Sequence, residues 1–275
     1  MRAAGIICEY NPFHLGHEKQ LRLVRERVGE DTAAVCLMSG NFVQRGAPAV
    51  FDKTVRARAA VECGASLVLE LPVTAALSSA EGFARGGVGV LNATGIVDTL
   101  AFGSECGETE KLRRAAEALL REDFSERLRD ELSKGLSFAA ARESAARALI
   151  GEDAGVLAEP NDILGVEYCK ALLQSGSTIT PLAMERRAVG HNEGAAEGFA
   201  SASYIRALLA GGEDASAFLT AESAAIYARE CAAGRAPGAG LPSGAGRPSW
   251  RGGLASVRAS RLPGLTPASV LCVWL

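Results

Sequence analysis

The sequence predicts an α/β fold with a Rossmann-like parallel sheet, and two observations carry that prediction. Short, apolar, β-branched runs recur at Ala3 to Cys8, Ala33 to Met38 and Ser66 to Leu71. Between them lie longer segments whose apolar residues return at helical spacing, and strands alternating with helices pair in parallel through right-handed crossovers. With 275 residues and 48% hydrophobic content, the chain has ample material for the core such a sheet needs.

The elements follow in order. The first strand ends at Cys8, and Leu15, Leu21, Leu23, Val24 and Val28 set the period of a first helix. Val55, Ala59, Ala60 and Cys63 set that of a second, over Asp52 to Cys63. A helix-like Ala80 to Asn92 precedes a fourth strand at Val97 to Phe102. From about 108 to 150 the text becomes charged and alanine-rich with no strand, which predicts a helical insertion or lid. Ile163 to Leu173 is a further helix, leading to a short strand at Thr178 to Met184 and to helices at Ser201 to Leu209 and Ala221 to Cys231. The expected division is one domain over residues 1–210 and the start of a helical C-terminal region over 211–233. Residues 234–275 are rich in Gly, Pro and Arg and hold no acid. Such a stretch buries too little surface to offset its ordering entropy, so a disordered tail is expected there.

Composition narrows the function. No apolar run approaches the ~20 residues a membrane span needs, and the first eight residues lack the pattern of a signal peptide, so the expected location is cytoplasmic. Seven cysteines stand apart with no CxxC and no Cys/His cluster, which argues against a zinc site and a disulfide scaffold. The formal charge of −3 combines −8 over the first 230 residues with five arginines after Glu230. An acidic body is not what generic nucleic-acid binding looks like, so any RNA contact must use a local basic patch.

The chemistry concentrates in EYNPFHLGH, Glu9 to His17, which holds two of the chain's three histidines. A loop between a first strand and a first helix sits at the carboxyl edge of a parallel sheet, where open α/β folds bind ligands. The helix start offers free N–H groups to an anion, and Gly16 lets the backbone lie against a flat ring or a phosphate. His14 and His17 can then donate to phosphate oxygens as charge builds on a leaving pyrophosphate. The loop supplies no nucleophile, so it suits attack by a second substrate on a nucleotide α-phosphate. A turn residue and a helix cap are the plainer account of either histidine alone; the pair in this strand-loop-helix setting favours function.

HLGH at His14 to His17 resembles the HxGH signature of the nucleotidylyltransferase superfamily. More narrowly, GIICEYNPFHLGH, MSGNFVQRGAPAVFDK at Met38 to Lys53, LVLELP at Leu67 to Pro72, AFGSE at Ala101 to Glu105 and NDILGVEYCKAL at Asn161 to Leu172 together resemble the bacterial tRNA(Met) cytidine acetate ligase family. The similarity runs in order from about residue 1 to about 210. It implies a Rossmann-like nucleotidylyltransferase domain that activates acetate with ATP to acetyl-adenylate and passes the acetyl group to N4 of the wobble cytidine of elongator tRNA(Met). Family members continue with a folded helical region that helps hold tRNA, so the C-terminal part of this chain is expected to be a truncated version of it.

The resemblance also implies an ATP site formed by Ile7, Cys8, Glu9, Tyr10, Asn11, Pro12, Phe13, His14, Leu15, Gly16, His17, Glu18, Lys19 and Gln20, with Gly103, Asn161 and Arg186 matching further ATP-contacting positions. His14 and His17 take the catalytic place at the phosphates. Gly103 reads equally as a plain turn glycine and Asn161 as an N-cap. Of Arg186 and Arg187, Arg186 is the expected phosphate clamp. Asn41, Gln44 and Arg45 in the loop SGNFVQRG can bind a small carboxylate or a nucleotide. Lys53 and Arg56 share a helix face that can engage phosphate or tRNA, or be solvated. Ser201, in FASASYIR, resembles a hydroxyl-rich helix start that contacts triphosphate, though capping alone would explain it. Mg²⁺ is expected with the ATP, and no carboxylate cluster is evident to hold a metal. Two other readings stay open: an adenylyltransferase acting on a small phosphorylated metabolite, and a non-catalytic nucleotide- or tRNA-binding module.

Overall fold

The structure, a computed structural model, describes residues 2–44, 46–186, 199–235 and 272–273. A parallel sheet is built from β1 (Ala3–Cys8), β2 (Ala33–Ser39), β3 (Leu67–Leu71), β4 (Thr99–Ser104) and β5 (Thr180–Glu185), with the two-residue β6 (Cys272–Val273) beside β3. The strand order is β5-β4-β1-β2-β3-β6. The order therefore reverses between β1 and β4, and this reversal opens the crevice at the carboxyl edge where such sheets take ligands.

The helices are α1 (Leu15–Val28), α2 (Lys53–Glu62), α3 (Val73–Ala76), α4 (Ala80–Thr94), α5 (Thr109–Leu119), α6 (Phe124–Ser133), α7 (Phe138–Ile150), α8 (Pro160–Gln174), α9 (Ala202–Gly211) and α10 (Ala221–Ala232). They cover both faces of the sheet, and the period of two along the strands decides which residue meets which layer. Val35 and Leu37 of β2 enter one core with α4, α5 and α8, while Ala34, Cys36 and Met38 enter the other with α1, α2, α9 and α10. The insertion between β4 and α8 is not a free lid. Leu112, Ala115 and Ala116 of α5 and Ala145 and Ala146 of α7 are buried in the first core.

The ends of the elements differ by a few residues from the sequence-based expectations. The fourth strand is Thr99–Ser104, two residues later than expected, because β4 takes its partners from the middle of β1 at Ala4 and Gly5. The helix expected over Ile163 to Leu173 begins at Pro160, which at the first turn loses no hydrogen bond. Among the described residues no helix is long and apolar enough to cross a membrane. The expected disordered tail falls mostly on residues outside the described set, as do Arg45 and Arg187.

α10 reaches back to the first loop of the chain. Its Tyr227 ring stacks on Phe51 at 4.2 Å and its hydroxyl accepts the Phe13 N–H at 2.9 Å. The helices after residue 201 thus share a core with the strand that leads into the HxGH loop.

Candidate active site

β1 brings the chain to the sheet edge at Cys8 and α1 leaves from Leu15, so the backbone between them needs partners outside regular structure. Tyr10 turns the chain at φ 45°, a left-handed conformation costing a non-glycine residue ~1 kcal/mol or more. It is held there by burial of its ring and by its hydroxyl against the Cys36 thiol at 3.2 Å. Arg56, fully buried, donates to the carbonyls of Phe51 (3.0 Å), Ser39 (3.1 Å), Gly40 and Glu9. One guanidinium therefore ties the loop after β1 to the end of β2. The sequence places Arg56 on a face that engages phosphate or tRNA or is solvated; the structure buries it instead, with four of its N–H donors on main-chain carbonyls. Asn11 accepts the Val50 N–H at 2.8 Å through its side chain, and its own carbonyl accepts from Arg206 at 2.9 Å.

The two imidazoles cap α1 together. His14 Nδ1 accepts the Gly16 N–H at 3.0 Å, and His17 Nδ1 accepts the His14 N–H at 3.3 Å. With both Nδ1 atoms acting as acceptors, each neutral ring carries its proton on Nε2. The plainer capping account and the functional one are thus the same geometry: capping fixes the tautomer and leaves two N–H donors for a ligand. The ring centroids are 3.8 Å apart. Burial lowers the His14 pKa to about 4, aided by the Arg186 and Arg206 charges; burial, His14 and Arg186 push that of His17 well below its usual value. Gly16 provides the close approach its sequence position suggests, but the flat ring is His14's own. A Cβ on Gly16 would stand 2.8 Å from His14 Cε1.

The neutral imidazoles set a pH dependence. Below pH ~6.5 the unfolded chain takes up a proton at His14 that the folded chain refuses, so this part of the stability is complete above pH 6.5 and is lost as pH falls to about 4. For His14 the loss is on the order of 3 kcal/mol. Urea midpoints measured between pH 7 and pH 4.5 should fall accordingly, and His14→Gln should flatten the slope; an equal slope in the variant would refute the assignment.

On the β4 and β5 side the structure brings Gly103, Asn161 and Arg186 together. The Arg186 stem crosses Gly103, where a Cβ would stand 2.6 Å from Cδ, and its Nη1 donates to Asn161 Oδ1 at 3.1 Å. The close approach expected at Gly103 is therefore made by Arg186. Asn161 is not an N-cap, because α8 begins one residue earlier at Pro160. Its amide Nδ2 donates to Glu105 Oε1 at 2.5 Å. Arg206, on the first turns of α9, completes the positive side of the crevice beside His14.

Ile7 packs against Gly87 of α4 and belongs to the opposite core. Cys8 donates weakly to the Leu37 carbonyl, Glu9 accepts the Gln44 N–H at 2.8 Å, and Phe13 is buried behind His17. Pro12 follows a cis peptide bond after Asn11. Leu15, Glu18 and Lys19 line an open groove of about 510 Å³ with Arg22, Arg25 and Phe199, and Gln20 follows them on α1. Asn41 is engaged with Asp52 and the Lys53 N–H, and Lys53 pairs with Glu70 at 2.7 Å. Ser201 caps α9 by accepting the Tyr204 N–H at 3.2 Å, which makes capping its observed role. Sequence reasoning passed over Arg206 and Glu105, although both lie inside quoted blocks, FASASYIR and AFGSE.

A parallel sheet with a crevice at its strand reversal and paired HxGH imidazoles agrees with the class the family profile gives: the chain belongs to the HIGH Nucleotidyl Transferase family, whose profile matches residues 1–237. Among particular relatives, it is 45% identical over 234 residues to the tRNA(Met) cytidine acetate ligase of Syntrophotalea carbinolica, covering 83% of this chain and 55% of that protein. It is also 45% identical over 215 residues to the tRNA(Met) cytidine acetate ligase of Caldanaerobacter subterraneus subsp. tengcongensis, covering 75% and 52%. The crystal structure of Thermotoga maritima TmcAL bound with alpha-thio ATP superposes with a TM-score of 0.78 at 40% identity, over 86% of this chain and 57% of that one. The chain spans about half the length of the curated relatives it matches.

Proposed function

We propose that the chain activates acetate with ATP and passes the acetyl group to N4 of the wobble cytidine of elongator tRNA(Met). An acetate oxygen attacks the α-phosphate, pyrophosphate leaves, and acetyl-adenylate forms; the cytidine amine then attacks the acetyl carbon and AMP leaves. The observation that carries this reading is the pair of Nε2 donors held by capping beside Arg186 and Arg206, a donor set that fits a triphosphate. The resemblance to named acetate ligases and to a TmcAL bound with alpha-thio ATP supports the choice of substrates.

The side chains have distinct parts. His14 and His17 stay neutral near pH 7, so they stabilise charge growing on the departing pyrophosphate by hydrogen bonding without competing for its protons. Arg186 and Arg206 hold the phosphates in line with the incoming carboxylate. Mg²⁺ is expected to accompany the nucleotide, because ATP normally reacts as its magnesium complex.

The test is isotope exchange. Given Mg-ATP and labelled pyrophosphate, the chain should return label to ATP only when acetate is present, with propionate poorer by ~1 to 3 kcal/mol for its extra methylene. Exchange that ignores acetate and answers to a phosphorylated metabolite would overturn the acetate reading, and no exchange with any partner would overturn the enzymatic one. Acetyl transfer to tRNA(Met) should fall steeply with added salt.

A further inference from the structure

We infer that Glu105 is a positioning residue that sets the Arg186 guanidinium in place through the side chain of Asn161. The inference rests on reading this edge as the nucleotide site. The two oxygens of Glu105 take three N–H groups: Asn161 N at 3.3 Å and Nδ2 at 2.5 Å on Oε1, and Asp162 N at 2.8 Å on Oε2. Because a carboxylate only accepts, it commits the amide nitrogen of Asn161 to its own side. The carboxamide oxygen must then face away, and there Arg186 Nη1 donates to it at 3.1 Å. At its other end Arg186 is fixed by its backbone N–H on the Ser104 carbonyl at 2.8 Å and by the absent side chain at Gly103.

The arrangement has a chemical consequence. Arg186 meets a neutral amide oxygen, with the carboxylate one group further back, so it is oriented while its charge is left for an anion. A simpler role for Glu105 is to cap α8, whose N-cap residue Glu159 makes no side-chain bond. Capping accounts for the two backbone N–H groups. It does not account for the bond to the Asn161 side chain, nor for the order of donors that ends on Arg186. A glutamine at 105 keeps the shape but brings an NH₂ of its own to a place where three donors already converge, so the Asn161 amide loses its fixed orientation.

The test uses the full chain without nucleotide. Its three histidines make imidazole titration by proton NMR tractable, and the Arg186 charge is one of the causes that lower the His14 pKa to about 4. Glu105→Gln and Arg186→Ala should each raise the His14 midpoint by ~0.5 unit, and the double variant should add nothing to Arg186→Ala alone. ATP affinity by calorimetry should fall roughly tenfold in Glu105→Gln. Asn161→Ala, which cuts the relay and leaves Glu105 on the backbone N–H groups, should give the same upward shift even if Glu105→Gln does not fold. A lower melting temperature with an unmoved His14 midpoint means that Glu105 only caps α8, and additive shifts in the double variant likewise overturn the inference. Shifts as expected in a chain that binds no ATP leave the positioning role standing and remove the nucleotide reading.

Discussion

His17→Ala lowers acetate-dependent pyrophosphate exchange by on the order of a hundredfold, with a smaller effect on ATP affinity. The expectation comes from the tautomer. Since His17 Nδ1 is occupied by the His14 N–H, its remaining nitrogen is a donor at all pH values where the protein is folded and the ring is neutral. Removing it deletes one donor aimed at a charge that appears only as the bond to pyrophosphate breaks, which is why turnover suffers more than binding. Stability falls less, by about 1 kcal/mol, as the reciprocal cap and the contact with Tyr10 at 4.8 Å between centroids are lost. Exchange kinetics and a melting curve on the same preparation check both parts. Unchanged turnover with an intact melt would remove His17 from the reaction.

Arg56→Ala should cost about 3 to 5 kcal/mol of stability, the largest structural effect expected of any single side chain here. Its guanidinium is fully buried and serves four carbonyls, those of Phe51, Ser39, Gly40 and Glu9. Alanine removes those donors, three of whose four bonds are buried from water, and adds a cavity the size of the lost side chain. Arg56→Lys keeps the charge but replaces a planar fork by a single ammonium, so it should recover less than half of the loss. Urea denaturation of the three proteins decides it; a loss under ~1 kcal/mol for alanine would show that the loops hold without the arginine. Because Glu9 follows the strand end that leads into the HxGH loop, the alanine variant should also bind ATP poorly before it unfolds.

Much of this was legible in the sequence, and the reason is local. A strand run, a glycine beside two histidines and a helical period are properties of neighbouring residues, so β1, the HxGH loop and α1 could be placed with nearly their observed bounds. Residues whose role depends on distant partners could not. Arg56 sits with Lys53 and Arg58 in a stretch that reads as a basic solvated face, yet its acceptors come from two loops outside its own helix. Glu105 lies in the block AFGSE, but its partners stand 56 and 57 residues later, and nothing in the neighbouring residues marks it. Gly103 illustrates a half-legible case: its place at a strand end predicts a close backbone approach, whereas the arginine making it comes one residue after another strand, β5.

The bond from the Phe13 N–H to the Tyr227 hydroxyl spans 214 residues and has a bearing on timing. During synthesis at roughly 5 to 20 residues per second, the first strand and helix leave the ribosome on the order of ten seconds or more before Tyr227 does. For that interval the nascent chain holds the HxGH letters without the brace that shapes them. A contact of such sequence separation also forms late in refolding, since its loop-closure entropy is repaid only when the intervening layers have docked. The crevice is therefore expected to become competent near the end of folding, in one step with the docking of α10, and not to mature gradually from its amino-terminal half.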